Sequence, residues 1–288
     1  MAYFLNLAIL ICIYGILGLS LNLVMGYTGL LSIAQAAFYG IGAYAAALLM
    51  MNAGFNFFLA LVISMVITGL VALIIGLVLS KLESDYYALA SLGFGVIVYS
   101  ILLNWQSLTG GPIGIPGIPR PEILGFQLGN DLSFLILSLI LLAIVYAIAK
   151  FIVSSSFGRI LKAIREDEKA IQVFGYKTIY FKLTIFVIGA MLAAIAGSLY
   201  ASYITYIDPS TFNVTEAIFI IAIIIFGGLA SLRGSVFGAI ALILLPELLR
   251  FVGFPDTVAA QMRQAVYGLL LILLMLYRPQ GLSGEYNL

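Results

Sequence analysis

FNFFLALVISMVITGLVALIIGLVLS, from Phe55 to Ser80, contains no Asp, Glu, Lys or Arg anywhere along its length. A helix rises about 1.5 Å per residue, and about 20 apolar residues cross the hydrocarbon of a bilayer. The stretch therefore reads as a membrane-spanning helix. Working outward on both sides, comparable runs recur at about 3–25, 30–51, 86–104, 132–152, 181–203, 214–231, 234–252 and 263–278. With 55–80 they make nine, within a range of eight to ten. Strands are excluded because an open sheet leaves its backbone unsatisfied in lipid, and no short alternating barrel pattern occurs. The expected fold is an all-α polytopic membrane protein, a single transmembrane domain over residues 1–288.

The composition agrees. Of 288 residues, 64% are hydrophobic and 9% charged, against about 45–50% and about 25% in soluble domains. Too few polar side chains remain to cover a water-exposed surface, so lipid must solvate most of it. The net charge of +1 provides no field for nucleic acid. Histidine is absent and Cys12 is the single cysteine. These two facts remove imidazole metal ligands, Ser-His and Cys-His catalysis and any intrachain disulfide. The first run, Tyr3 to Met25, has no basic residue before it and is longer than a signal-peptide core, so it reads as a retained span.

The basic residues set the expected orientation. Lys150, Arg159, Lys162, Arg165, Lys169, Lys177 and Lys182 gather around one connection, which is placed in the cytoplasm. Alternation outward puts Lys81, Arg233 and Arg278 on the same side and leaves Arg120, Arg250 and Arg263 outside. The expectation is an N-terminus outside and a C-terminus inside. Residues 105–131 then form an extracytoplasmic loop, Gly- and Pro-rich from Thr109 to Pro119, packed on the membrane face. A weak internal repeat is suggested by the stretch Gly29 to Gly40, which echoes Gly228 to Gly238 after gaps.

Three features bear on function. Residues 153–178 form a cytoplasmic loop containing a short amphipathic helix, with Phe157, Ile160, Leu161, Ile164 and Ile171 on one stripe. Ser156 is its expected N-cap and Gly175 its expected end. Arg159, Lys162, Arg165, Glu166, Asp167, Glu168 and Lys169 supply its charges. A helix lying on lipid headgroups is one reading. The mixed signs favour docking on a protein, because a lipid-binding face would be basic throughout. Second, Gly26-Tyr27-Thr28-Gly29 is dense enough in glycine to interrupt a helix. Such breaks survive in membranes where they line a cavity or are buried in protein, so Asn22, Thr28, Ser32 and Gln35 are the candidate pathway residues. Third, the spans are nearly free of acids: only Glu216 and Glu247 occur, each near a helix end. Ion-coupled carriers usually keep ionisable groups deep in the membrane. No phosphate-binding Gly-x-x-x-x-Gly-Lys-Ser/Thr loop is present, so ATP, if used, is bound by another chain.

Gly26-Tyr27-Thr28-Gly29-Leu30-Leu31-Ser32 through Ala36 to Tyr44 resembles the early motif of permeases of the branched-chain amino-acid ABC importer family. So do Phe157-Gly158-Arg159 through Ala163 to Glu168, Ile225 to Ser231, and the ending Tyr267 to Leu270 with Arg278 to Leu282. The Ala-Ile-Arg-Glu-Asp-Glu form is similar to the M-type member of the two paired permeases. The resemblance implies an H-type permease partner, two cytoplasmic ATPase subunits that hold ATP and Mg, and an external substrate-binding protein. It implies no cofactor on this chain and no enzymatic activity. It also implies that residues 154–178 form the ATPase-coupling loop, and a bacterial or archaeal cell-membrane location. Urea permeases of the same family look similar, so urea or another small amide is the alternative cargo. A self-sufficient secondary transporter or channel is the alternative class. Ala34-Gln35 departs from a Gly-His pair in the family motif, so any role of that histidine does not transfer to this chain.

Overall fold

The computed structural model describes residues 2–82, 84–123, 126–127, 129–250 and 268–269, with side chains described only in part near the edges of these ranges. The described residues are predominantly helical. In chain order the helices are α1 (Ala2–Leu21), α2 (Gln35–Asn52), α3 (Phe57–Leu79), α4 (Ser84–Asn104), α5 (Gln106–Thr109), α6 (Asp131–Ser154), α7 (Ser156–Glu166), α8 (Glu168–Val173), α9 (Thr178–Ile204), α10 (Val214–Gly227) and α11 (Leu232–Arg250). Two-residue strands β1 (Ile115–Pro116), β2 (Glu122–Ile123), β3 (Phe126–Gln127) and β4 (Tyr206–Ile207) form two antiparallel pairs, β1 with β4 and β2 with β3.

Among the described residues five helical stretches are long and apolar enough to cross a membrane: Tyr3–Gly26, Phe57–Leu79, Asp85–Asn104, Asp131–Ser154 and Thr178–Ile204. A sixth is reached if α10 and the first part of α11, bent by 119°, count as one. The expected nine is thus not reached among the described residues. The expected span 263–278 lies almost wholly outside them, as does the Tyr267 to Leu282 block of the resemblance. The shortfall has a physical cause. Of the runs 30–51, 214–231 and 234–252, the first becomes helical only at Gln35 and the other two form the bent pair.

Helix directions follow from close contacts. α9 is the axis, and small residues let its neighbours approach. Gln35 lies beside Gly189, a Cβ on Gly42 would collide with Ala194, and Met50 reaches Ser202, so α2 runs parallel to α9. Ser64 bonds Ser198 at 2.9 Å, Gly69 meets Met191 and Gly76 meets Leu183, so α3 runs antiparallel. α1 descends beside α10: Tyr14 touches Phe219, Gly18 meets Ile223 and Asn22 bonds Ala230. α7 and α8 sit at the end where α9 begins, and the β1–β4 ribbon sits at the end where α9 stops.

These registers give the fold its main feature. Gln35, the first residue of α2, stands eleven residues into the 27-residue α9, about 16 Å along a helix of about 40 Å at about 1.5 Å per residue. Helix α2 therefore starts in the middle of the bundle and runs toward the β1–β4 end. Helix α10 also starts in the middle: Asn213, Val214 and Ala217 share a crevice with Ala36, Ala37 and Gly95. It runs the other way, toward α7. Two half-length helices thus begin at one depth and diverge.

Candidate functional site

The joints beside these half-helices are built locally. α1 loosens into a π-helical turn over Asn22–Gly26 before the chain leaves helical geometry. Gly29 takes a φ of +73°, and 29–34 returns to the start of α2. Gly228, at φ +110°, ends α10, and α11 begins at Leu232. The two stretches that echo in sequence, Gly29 to Gly40 and Gly228 to Gly238, therefore both leave a helix through a positive-φ glycine and enter another.

The joints also touch. Asn22, fully buried, donates to the Ser231 carbonyl at 2.9 Å and to Ser235 Oγ at 2.6 Å, while its Oδ1 accepts from the Ala230 amide at 2.9 Å. Tyr27 donates to the Ala230 carbonyl at 2.6 Å. Ala230 needs this support, because its φ of +59° is unusual for a residue with a Cβ.

Sequence placed four pathway residues here, and all four are buried in the chain. Asn22 is the clamp just described. Thr28 donates to the Val24 carbonyl at 2.6 Å and receives the Leu30 amide at 3.4 Å, closing the end of the first joint. Ser32 is packed within reach of Tyr87. Gln35 donates to Ser20 Oγ at 2.6 Å, tying the start of α2 to α1, and its amide nitrogen stands 3.5 Å from the Gly189 carbonyl. Neighbouring Ile33 donates its amide to Ser91 of α4 at 2.9 Å.

The expected amphipathic helix is two helices. Ser155, not Ser156, is the N-cap of α7, accepting from the Gly158 amide at 3.3 Å. Ser156 instead accepts from Arg159 at 2.8 Å. Asp167, with φ −154° and ψ 97°, ends α7 and caps α8 by accepting the Ala170 amide at 3.0 Å. Gly175, at φ +86°, follows α8 and closes its turn. The apolar stripe packs inward: Leu161 and Ile164 are buried, Phe157 stacks on Phe181 at 5.4 Å, and Ile160 and Ile171 are half-buried.

The charged residues divide. Lys162 lies over the Tyr27 ring at 5.7 Å, and Arg165 donates to the Gly26 carbonyl. Glu168 pairs with Lys182 at 2.7 Å and accepts from Thr178 at 2.8 Å. Arg159, Glu166 and Lys169 face outward, as does the Asp167 residue apart from its capping oxygen. Sequence reasoning missed the apolar tip that stands with them: Val173 is 87% and Phe174 78% exposed. The available signal was an apolar pair placed just before Gly175 in an otherwise polar loop. Missed too was Tyr27 as the residue joining the two breaks.

Arg165 and Lys162 thus connect α7 to the first joint, and Tyr27 and Asn22 connect that joint to the second. Among the described residues no group of three or more His, Cys, Asp or Glu is placed to hold a metal ion.

The branched-chain amino acid transport system / permease component family matches residues 3–275. The chain is 35% identical over 300 residues to the high-affinity branched-chain amino acid transport system permease protein LivM of Escherichia coli, covering 96% of this chain and 69% of that protein. It is 33% identical to the LivM protein of Salmonella typhimurium over the same shares. To the permease protein LivH of Escherichia coli it is 26% identical, over 94% of this chain and 91% of that one. No solved structure matches it. The chain belongs to this permease family.

Proposed function

We propose that this family member is the membrane-translocating, M-type subunit of an ATP-driven importer whose cargo is a branched-chain amino acid. The observation that carries the reading is α7–α8, an element that ends in exposed Val173 and Phe174 and is anchored by Arg165 to the Gly26 carbonyl. A self-contained channel has no use for a protruding apolar tip wired to its helix breaks, and the likeness to LivM and LivH supports the importer reading. Urea or another small amide is the less favoured cargo, because the relatives named above are branched-chain amino acid permeases.

In this reading α7–α8, within 153–178, is the cytoplasmic coupling element, and the ATPase meets Phe174, Arg159, Glu166, Asp167 and Lys169. The 105–131 segment faces the external binding protein, and the N-terminus lies outside. Five full spans, the entering segments α2, α10 and α11, and the 263–278 run make nine apolar segments in all, with a cytoplasmic C-terminus. The assembly comprises a second, H-type permease, two ATPase subunits that bind ATP and Mg, and the binding protein, in a bacterial or archaeal cell membrane. Substrate moves by alternating access past the joint that Thr28, Ser32 and Gln35 frame, while Asn22 keeps the joints together.

Affinity purification of the chain from native membranes tests the reading, followed by uptake assays on the reconstituted material. Recovery of a second permease with nucleotide-binding subunits, and ATP-dependent leucine uptake, is the expected result. Recovery of the chain alone, still moving solute down an ion gradient, contradicts it.

A further inference from the structure

Glu216 is one of the two acidic residues that the sequence set aside as lying near helix ends. The structure puts it in the first turn of α10, at the depth where the two half-helices start. Its amide is capped by Asn213 at 3.1 Å, and its Oε1 accepts from the Tyr14 hydroxyl at 2.6 Å. Among the described residues no Lys or Arg pairs with it. A carboxylate away from water is costly without a countercharge, and an intramembrane acid is a functional site by default.

Two independent features point to a ligand. The Tyr39 hydroxyl is fully buried with no hydrogen-bond partner, on a ring that packs against Phe212, four residues before Glu216. A buried hydroxyl is ordinarily hydrogen-bonded, so Tyr39 has donor and acceptor capacity to offer a ligand. The surroundings are aromatic: Phe219 meets Tyr14 at 5.2 Å, and Tyr39 meets Phe212 at 5.0 Å and Tyr200 at 5.6 Å. Ring faces attract cations, and more strongly where water is excluded. A carboxyl group without a countercharge, a spare hydroxyl and aromatic walls together match an organic ammonium group.

We propose that Glu216, Tyr14 and Tyr39 form the subsite that receives the α-ammonium group of the amino-acid cargo at the bilayer midplane. This rests on the importer reading above and sharpens it, since a neutral amide such as urea has no cation to offer the site. The ammonium pairs with Glu216 and donates to the Tyr39 oxygen, while Tyr14 holds the carboxyl group in place. Because α10 starts here and ends at the joint that Asn22 and Tyr27 hold, displacement of α7 reaches the subsite through α10.

The test uses the full complex with its ATPases and binding protein in proteoliposomes, with leucine and urea as probes. Glu216→Gln, which keeps the shape, is expected to lower leucine uptake about thirtyfold or more in an assembled complex. Tyr39→Phe removes only an unpartnered hydroxyl and is expected to lower leucine uptake severalfold in an intact complex. Wild-type leucine uptake by both variants overturns the subsite and leaves the importer reading standing. If Glu216→Gln prevents assembly, Tyr39→Phe decides: unchanged uptake overturns the proposal, reduced uptake in an intact complex supports it. A wild-type complex that moves urea and not leucine overturns the cargo reading itself, and the subsite with it.

Discussion

The α7–α8 element and the paired joints at Gly29 and Gly228 are in contact, yet they are held together by different physics. α7–α8 is a surface element: one apolar stripe packs on α9, capping residues set its ends, and its outer charges are solvated. Its local rules suffice to build it. The joints are interior, and each leaves backbone groups that only a distant segment satisfies: Ala230 is met by Asn22 and Tyr27 from more than 200 residues away. A region governed by local rules tolerates change one residue at a time. A region governed by long-range bonds fails as a unit.

The comparison is broken most directly by filling the close approach that fixes α2 against α9. A Cβ at Gly197 would collide with the backbone of Tyr39 and Ala43, so Gly197→Leu is expected to cost about 3 kcal/mol or more through overpacking. Loss of monodisperse protein in size-exclusion chromatography is the readout. Next is Asn22→Leu, which deletes three bonds and leaves the buried Ala230 amide unpaired. The expected cost is about 2 kcal/mol, seen as a lower midpoint of thermal unfolding in detergent. If Asn22→Leu is neutral, the joints are not held by this clamp.

Changes in α7–α8 are expected to be milder for stability. Glu168 is about one-third exposed and its partner Lys182 is buried, so Glu168→Gln, which keeps an acceptor for the ammonium, should cost about 1 kcal/mol. Faster amide hydrogen exchange confined to 168–178 is the expected sign, and exchange spreading into α9 would show that the element is less autonomous than argued. Smallest of all is Phe174→Ser, which buries nothing and should change stability by under about 0.5 kcal/mol. Retention of the ATPase subunits on purification should nonetheless fall. Unchanged retention would remove the apolar tip from the docking face.

The same division explains what could be read beforehand. The apolar runs gave the helical class because hydrophobicity is a local property of each segment, and the 3.6-residue period showed the stripe from Phe157 to Ile171. The break at Asp167 was missed because an acidic residue reads equally as an outer helix position or as a cap. Gly26 and Gly29 signalled an interruption, but not that the next helix would start at mid-depth. Depth is set by partners such as Gly189 and Ser91, which no local pattern connects to Gln35 and Ile33. For the same reason the bonds from Asn22 to Ala230, Ser231 and Ser235 could not be foreseen, nor that the helix end carrying Glu216 starts beside Ala36 and Ala37.

The central claim is that α7 acts on the membrane joints through Arg165. Its most direct test is the number of leucine molecules imported per ATP hydrolysed by the reconstituted complex, wild type against Arg165→Met. ATP hydrolysis close to wild type is expected, with uptake per ATP lower by about tenfold, the size of an ordinary coupling energy. An unchanged ratio would contradict it and leave the Arg165–Gly26 contact as packing alone.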